Sequence, residues 1–366
     1  MSEDPARAAL DAAVLAWTRE EPWRLDEVRF ERLALELFAF QFARCEPYAR
    51  FCSARGRTPE RVASWREIPA VPTGAFKELA LRSFPASREA HVFRTSGTST
   101  ERRGELHLDT LVLYEAALLP SVRRFVLPDL ESGARARLRI LAPAPEEAPD
   151  SSLSHLFGCV RREFGDAASG FDVRAGALQI GTLLAALERA GPDGVPVALC
   201  GTAFAFVHLL DALAARGARL ALPAGSRAME TGGFKGRSRE LSREALHGAI
   251  EEALGIPAAR IVNQYGMTEL ASSFYDSVLW DPSGPRRKLG PPWTRVRLLD
   301  PESGDDVAPG GVGMIAILDL ANTGSVLALQ TADLGRALAE GFEVLGRVPG
   351  AESRGCSIAA DEMLAP

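Results

Sequence analysis

The hexapeptide Gln264-Tyr265-Gly266-Met267-Thr268-Glu269 follows the short apolar run Ile261-Val262, with only Asn263 between them. Such a run predicts a buried strand, and ligands of α/β proteins bind at the carboxyl ends of the strands. Tyr265 could stack on a nucleobase, Thr268 could bond a phosphate, and Glu269 could hold Mg²⁺ through oxygen. The alternative is structural, with Tyr265 in the core and Glu269 capping a helix. Taken alone, the hexapeptide leaves both interpretations open.

The chain around the hexapeptide alternates apolar runs with stretches of helical periodicity. Buried strands are predicted at residues 138–141, 197–200, 220–222 and 261–262, and helices at 204–215 and 243–254. This alternation predicts an α/β fold with parallel or mixed sheets. A glycine-rich stretch at 230–236 within this region is predicted to be a loop.

The two ends of the chain have different patterns of apolar residues. Apolar positions at helical spacing predict helices over 25–45 and 109–126, whereas strands are predicted at 296–299, 314–320 and 326–329. We therefore predict four segments. They are a helix-rich N-terminal segment (1–90), an α/β nucleotide- and acyl-binding core (91–290), a β-rich lobe (291–345) and a hinge-like C-terminal tail (346–366).

Composition narrows the class of protein. The 366 residues are 46% hydrophobic, and 42 Lys+Arg against 48 Asp+Glu give a net charge of -6 without a long block of one sign. Nucleic acid is therefore not an expected partner. We expect a cytoplasmic protein without a signal peptide or a membrane span. Five cysteines, an odd number without metal-site pairing, suit a reducing compartment better than a disulfide framework.

Two further stretches carry hydroxyl and carboxylate groups that suit a nucleotide. Phe93-Arg94-Thr95-Ser96-Gly97-Thr98-Ser99-Thr100 supplies backbone N–H and hydroxyl donors that could wrap a phosphate chain, or it is a solvated Ser/Thr loop. In Gln330-Thr331-Ala332-Asp333-Leu334-Gly335-Arg336, Asp333 could accept both ribose hydroxyls or could be an ordinary turn residue.

In this order and at these separations, the three stretches resemble the adenylate-forming superfamily of acyl-CoA synthetases, firefly luciferase and peptide-synthetase adenylation domains. The resemblance implies the large N-terminal domain of that fold, with stacked α/β subdomains and a β-rich lobe. It also implies roles for individual residues. Thr95, Ser96, Gly97, Thr98, Ser99 and Thr100 would bind the β- and γ-phosphates, Tyr265 and Gly266 the adenine, Thr268 and Glu269 phosphate and Mg²⁺, Asp333 the ribose, and Arg347 of the hinge pair Gly346-Arg347 a ribose or phosphate oxygen. Ala332 stands where the superfamily usually has glycine, which leaves Asp333 in place.

The C-terminal part departs from that superfamily, because the usual small domain with its catalytic lysine does not follow the hinge pair. Arg354-Gly355-Cys356-Ser357 stands there instead and resembles the acyl-protein synthetase (LuxE-type) family. The phrases Ile68-Pro-Ala-Val-Pro-Thr-Gly-Ala-Phe-Lys77 and Ser151-Ser-Leu-Ser-His155 also look like that family. The resemblance implies that Cys356 accepts the acyl group from the adenylate and passes it to a reductase partner. A thiolate is a suitable nucleophile for a mixed anhydride and yields a thioester.

Several remaining candidates are weaker. Lys235, on the glycine-rich loop with Gly232, is the candidate substitute for the missing lysine, since a cation stabilises the charge that develops on the α-phosphate. Gly232 is expected to contact ATP, and His155 and Gln264 the acyl substrate. Solvated, satisfied or core positions are the alternatives for each of these residues.

These predictions describe an ATP- and Mg²⁺-dependent enzyme that forms an acyl-AMP from a carboxylic acid and releases pyrophosphate. The resemblance implies that the acid is a fatty acid. Two alternatives stay open. One is a stand-alone ligase that transfers the acyl group directly to CoA or a carrier. The other is a nucleotide-binding scaffold that has lost catalysis.

Overall fold

The computed structural model describes residues 4–96, 102–232, 241–347 and 363. The chain divides into two compact units. Unit 1 comprises Met1–Pro120, Met267–Ser273 and Arg287–Pro366, and unit 2 comprises Ser121–Gly266 and Phe274–Arg286. The hexapeptide crosses from one unit to the other between Gly266 and Met267. The predicted boundaries at 90, 290 and 345 stay a prediction.

Unit 2 is built on a mostly parallel sheet. Its strands are β4 (Arg137–Pro143), β5 (Gly170–Arg174), β6 (Ala177–Leu178), β7 (Val197–Thr202), β8 (Arg227–Thr231), β9 (Ile261–Tyr265) and β10 (Phe274–Asp276). They lie in the order β10-β9-β8-β7-β4-β5-β6, and only the outer strands β6 and β10 run antiparallel to their neighbours. This is the predicted α/β fold.

The helices of unit 2 begin and end where the sequence supplies caps. They are α5 (Ser152–Phe164), α6 (Ile180–Asp193), α7 (Ala203–Ala215) and α8 (Arg243–Leu254). The Ser242 side chain accepts a hydrogen bond from Ala245 N at the start of α8, and Gly255 ends that helix with φ +69°. Phe206, Leu209 and Ile250 of α7 and α8 pack with strand residues in one buried apolar cluster.

The loop between α7 and β8 corrects one prediction. Residues 220–222, expected as a strand, form none, because Leu220 N and Leu222 N donate to the carbonyls of Ala253 and Leu254 at the end of α8. Glu230 and Thr231, expected in a loop, are the last residues of β8 and are buried. A run of three apolar residues therefore does not distinguish a buried strand from a connection that packs against the core.

Unit 1 begins with three helices. They are α1 (Pro5–Thr18), α2 (Glu27–Arg44) and α3 (Glu46–Ala54), and α4 (Val112–Phe125) begins in unit 1 and ends in unit 2. Asp4 and Asp26 cap α1 and α2 through their carboxylates. Arg7 of α1 binds Asp109 through two hydrogen bonds of 2.7 and 2.9 Å, which tie α1 to the residues before α4.

Two sheets complete unit 1. The larger one contains β1 (Val71–Pro72), β11 (Lys288–Leu289), β12 (Thr294–Leu299), β13 (Val312–Asp319), β14 (Ala328–Ala337) and β15 (Phe342–Arg347). Its order is β12-β13-β14-β15-β11, with β1 parallel to β14 and the other pairs antiparallel. The smaller sheet is the hairpin of β2 (His91–Arg94) and β3 (Glu105–Leu108). The predicted strands at 296–299 and 314–320 correspond to β12 and β13.

No helix in the part of the chain that the structure describes is long and apolar enough to cross a bilayer.

Gly341, in the turn between β14 and β15, provides a test of the fold of unit 1. Its φ is +75°, and a Cβ placed there would lie 2.3 Å from the carbonyl oxygen of Lys288. We expect Gly341→Ala to lower the free energy of unfolding by about 2–5 kcal/mol, because backbone strain and a backbone clash add. Gly310→Ala, at φ +82° with open space around the Cβ, should cost only about 1–2 kcal/mol. Urea unfolding measures both variants. If Gly341→Ala and Gly310→Ala lowered the free energy of unfolding equally, the clash at Gly341 would be absent.

Candidate active site

In unit 1, the predicted phosphate loop is the connection between β2 and β3. Thr95 N donates to Gly104 O at 2.9 Å, and Gly104 N donates to the Thr95 hydroxyl at 2.8 Å, so this pair closes the base of the loop. Arg103 Nε donates to the Thr95 carbonyl at 2.6 Å. Thr95 and Ser96 thus begin a hairpin connection that carries a cationic side chain at its other end.

Glu269 lies next to this hairpin. A Cβ added to Gly104 would be 3.1 Å from Thr95 Cγ2, 3.5 Å from Glu269 Oε1 and 3.5 Å from Phe76 Cβ. The glycine therefore allows the carboxylate of the hexapeptide and the threonine of the phosphate loop to approach the same point. Thr268 and Glu269 are both buried. A carboxylate beside a hydroxyl-rich loop is suited to hold Mg²⁺ together with phosphate oxygens.

Asp333 and Arg347 meet on neighbouring strands of unit 1. They are register partners on β14 and β15, and Arg347 Nε lies 3.4 Å from Asp333 Oδ1. The Arg347 side chain is 63% exposed and that of Asp333 is 15% exposed. Asp333 N donates to the Thr331 hydroxyl at 3.1 Å. The structure thus brings together the two residues for which the superfamily resemblance implies ribose and phosphate contacts.

In unit 2, the predicted nucleotide and substrate residues lie at the carboxyl edge of the parallel strands. Thr202, Thr231 and Gln264 are register partners on β7, β8 and β9, and the Thr231 hydroxyl donates to Gln264 O at 3.1 Å. Gly232 follows Thr231 with φ +73°, and Gly266 follows Tyr265.

Tyr265 is half-buried, and its ring packs at a tilt on Phe274 with centroids 6.5 Å apart. It is therefore not a fully buried core residue, and its stacking on a nucleobase stays a prediction. Gln264 is buried.

His155 lies on α5 of unit 2. Its Nε2 is 3.5 Å from the sulfur of Cys159, and Arg162 NH2 donates to the same sulfur at 3.4 Å. A substrate contact of His155 stays a prediction. Gly97, Thr98, Ser99, Thr100, Lys235 and Cys356 lie outside the described residues, and their roles stay predictions as well.

Sequence reasoning missed Gly104, Arg103 and two buried residues, Asp319 and Asn322, that bind the segment after Glu269. Asn322 Nδ2 donates to the Glu269 carbonyl at 2.9 Å, and Ser272 N donates to Asp319 Oδ2 at 2.7 Å. The arginine and glycine that follow the Ser/Thr loop were a usable signal. The contacts of Asn322 with Glu269 and of Asp319 with Ser272 had no signal in the sequence, because the two residues of each pair are 53 and 47 positions apart.

Comparison with solved structures gives the class of fold. The fold resembles that of 2-hydroxyisobutyryl-CoA ligase in its postadenylation state with 2-HIB-AMP, with a TM-score of 0.63 and 15% identity over 89% of this chain and 69% of that chain. An open conformation of the same ligase with 2-HIB-AMP and CoA gives a TM-score of 0.61 at 15% identity over 89% of this chain and 76% of that chain. The predicted fold of adenylate-forming enzymes is thereby confirmed.

The sequence identifies the family within that class. Residues 2–365 match the family model of acyl-protein synthetase, LuxE, and the chain belongs to this family. It is 23% identical over 326 residues to the long-chain-fatty-acid--luciferin-component ligase of Aliivibrio fischeri, covering 87% of this chain and 82% of the relative. The protein is accordingly an ATP-dependent acyl ligase, which was predicted from the motifs.

Gly104 allows a test of the approach of Thr95 and Glu269. We expect Gly104→Ala to reduce ATP–pyrophosphate exchange by about 10- to 100-fold, because the methyl group displaces groups that must be placed to within about 1 Å. The melting temperature should change little, since Gly104 does not have a positive φ. Gly181→Ala, with open space around the Cβ on α6, is the control and should exchange normally. Wild-type exchange in Gly104→Ala would contradict the arrangement.

Asp319 gives a pH-dependent test of stability. Burial raises the pKa of this carboxyl from 3.8 to about 6, although hydrogen bonds from Ser272 and Ala321 oppose the rise. Because the folded state holds the proton more tightly than the unfolded state, the contribution of Asp319 to stability is greatest below about pH 4 and declines as the pH rises to about 6. The free energy of unfolding of the wild type minus that of Asp319→Asn should therefore fall over this range and level off above it. If the free energies of unfolding of the wild type and Asp319→Asn changed equally with pH, the raised pKa of Asp319 would be contradicted.

Proposed function

We propose that the protein activates a fatty acid with ATP and Mg²⁺, receives the acyl group on Cys356 and delivers it to a reductase partner. In the first step, a carboxylate oxygen of the acid attacks the α-phosphorus of ATP, and pyrophosphate leaves. In the second step, the Cys356 thiolate attacks the carbonyl of the acyl-AMP and AMP leaves, which gives a thioester. The partner then accepts the acyl group from that thioester.

The observation that carries this proposal is the approach of Thr95 and Glu269 at Gly104. Two stretches that are 174 positions apart in the sequence supply a hydroxyl loop and a carboxylate to one place in unit 1. Glu269 would hold Mg²⁺ on the phosphates, Thr268 and residues 95–100 would bind phosphate oxygens, and Asp333 with Arg347 would bind the ribose. Tyr265, Gly266 and Gly232, at the carboxyl edge of the sheet of unit 2, would contact the adenine nucleotide.

The relatives support the substrate class. The name of the Aliivibrio fischeri relative specifies a long-chain fatty acid, and the ligase of similar fold was crystallised with an acyl-adenylate. We propose a long-chain fatty acid for this chain, with His155 and Gln264 among the residues that contact it. Lys235 is proposed to stabilise the charge that develops on the α-phosphate.

The other four cysteines support the assignment of Cys356. Among the described residues, Cys45, Cys52, Cys159 and Cys200 form no disulfide, and all four are buried. Burial raises the pKa of the Cys45 thiol to about 11, and those of Cys52 and Cys200 to about 12. Because the thiolate is the nucleophile, these three are poor acyl acceptors near neutral pH. Free thiols also suit the reducing conditions of the cytoplasm, where we expect the reaction to take place.

Acyl labelling tests the proposal. The protein is incubated with ATP, Mg²⁺ and a radiolabelled long-chain fatty acid, then separated by denaturing electrophoresis with and without neutral hydroxylamine. We expect a hydroxylamine-sensitive label on the wild type, none on Cys356→Ser, and an unchanged label on the control Cys200→Ala. Acyl-AMP formation should survive in Cys356→Ser, because the first step does not use the thiol.

Two results would point elsewhere. Pyrophosphate release without any protein label would overturn the role of Cys356 and favour direct transfer to CoA or a carrier. ATP binding without turnover of any acid would favour a scaffold that has lost catalysis.

A further inference from the structure

The turn that runs from Asp319, the last residue of β13, through the connection 320–327 to β14 carries buried polar side chains. Asp319, Asn322, Thr323 and Ser325 are each at most 2% exposed. Polar groups in such a position require hydrogen bonds, and a turn at the surface would find them in water. The partners of this turn show what it holds.

One set of partners belongs to the segment that contains Glu269. Asn322 Nδ2 donates to the Glu269 carbonyl at 2.9 Å and to the Val326 carbonyl at 3.0 Å. Asn322 Oδ1 accepts no hydrogen bond from the described residues, so the side chain acts as a double donor. The backbone of Glu269 is thereby fixed to the turn.

The same segment is fixed again three residues later. Asp319 accepts hydrogen bonds from Ser272 N at 2.7 Å and from the Ser272 hydroxyl at 2.9 Å. Trp293 Nε1 donates to the Ser272 hydroxyl at 3.0 Å. The stretch from Glu269 to Ser272 is therefore held at both ends by one turn, and all of these groups belong to unit 1.

The turn itself is anchored to the helical part of unit 1. Gln41 of α2 donates from Nε2 to the Asn322 carbonyl at 2.9 Å and accepts from Leu327 N at 2.8 Å. The Ser325 hydroxyl donates to the Leu81 carbonyl at 2.6 Å. A turn fixed from several sides can hold a neighbouring backbone in one position.

We propose that Asn322 and Asp319 are positioning residues that keep the Glu269 carboxylate where it meets the Mg²⁺-bound phosphates. The inference rests on the proposed Mg²⁺ role of Glu269. The Glu269 side chain lies next to Gly104, whereas the Glu269 backbone is held by Asn322. The residue is therefore fixed at its backbone, and its carboxylate is left to bind the metal. Loss of an outer hydrogen bond to a metal-binding group typically weakens metal binding by about 10- to 100-fold.

The test is the Mg²⁺ dependence of ATP–pyrophosphate exchange in four variants of the full-length chain. Glu269→Gln removes the carboxylate, Asn322→Ala removes both donors to the two carbonyls, and Ser272→Ala removes the hydroxyl contact with Asp319 in a milder way. Thr18→Val is the control, because it removes a buried hydroxyl hydrogen bond within α1, from the Thr18 hydroxyl to the Leu15 carbonyl at 2.9 Å, that does not involve the turn or residues 269–272. Melting temperatures are measured alongside.

We expect the Mg²⁺ concentration at half-maximal exchange to rise about 10-fold or more in Asn322→Ala and severalfold in Ser272→Ala, with the control unchanged. Glu269→Gln should show the largest rise. If Ser272→Ala and Thr18→Val give the same Mg²⁺ dependence while Glu269→Gln differs from wild type, the positioning role is overturned and the role of Glu269 stands. If Glu269→Gln itself behaves like wild type, the Mg²⁺ assignment fails and the positioning role fails with it.

Discussion

The hydrogen bond from Asn322 to the Glu269 carbonyl joins the β-sheet of unit 1 to the last residue of the hexapeptide 264–269. The turn that bears Asn322 is also bound to α1 by Arg7, whose NH2 lies 3.4 Å from the Thr323 hydroxyl, and to α2 by Gln41. Buried polar groups specify an arrangement more strictly than apolar packing, because an unpaired partner is costly. The buried hydrogen bonds of this one turn therefore link the helices, the sheet and the candidate active site of unit 1.

The proposed functions of the hexapeptide divide between the two units. Gln264 and Tyr265 end β9 and Gly266 follows them in unit 2, whereas Thr268 and Glu269 belong to unit 1. The first half is suited to a flat ring and the second half to phosphate and metal. Six consecutive residues thus supply groups of different chemistry, and each group depends on the packing of its own unit.

Hydrophobic periodicity predicted α8 over residues 243–254, and the structure has it there. The Ser242 side chain caps its start, and Gly255 ends it. The strand expected at 220–222 failed, since its backbone groups bond to the end of α8 and no local pattern encodes that contact. The motif residues were predicted from their order along the chain, and their roles stay predictions. The residues that hold them, Asn322 and Asp319, could not be found this way, because a buried asparagine or aspartate in a turn looks like any turn residue.

The burial of Cys45, Cys52, Cys159 and Cys200 also limits what the protein can carry. With these thiols packed in the interior, the proposed chemistry leaves one acceptor per chain, so each molecule stores a single acyl group at a time. The supply of activated acyl groups to a partner would then scale with the number of protein molecules and with how quickly each is unloaded. A large pool of fatty acid would not raise it further once every chain is charged.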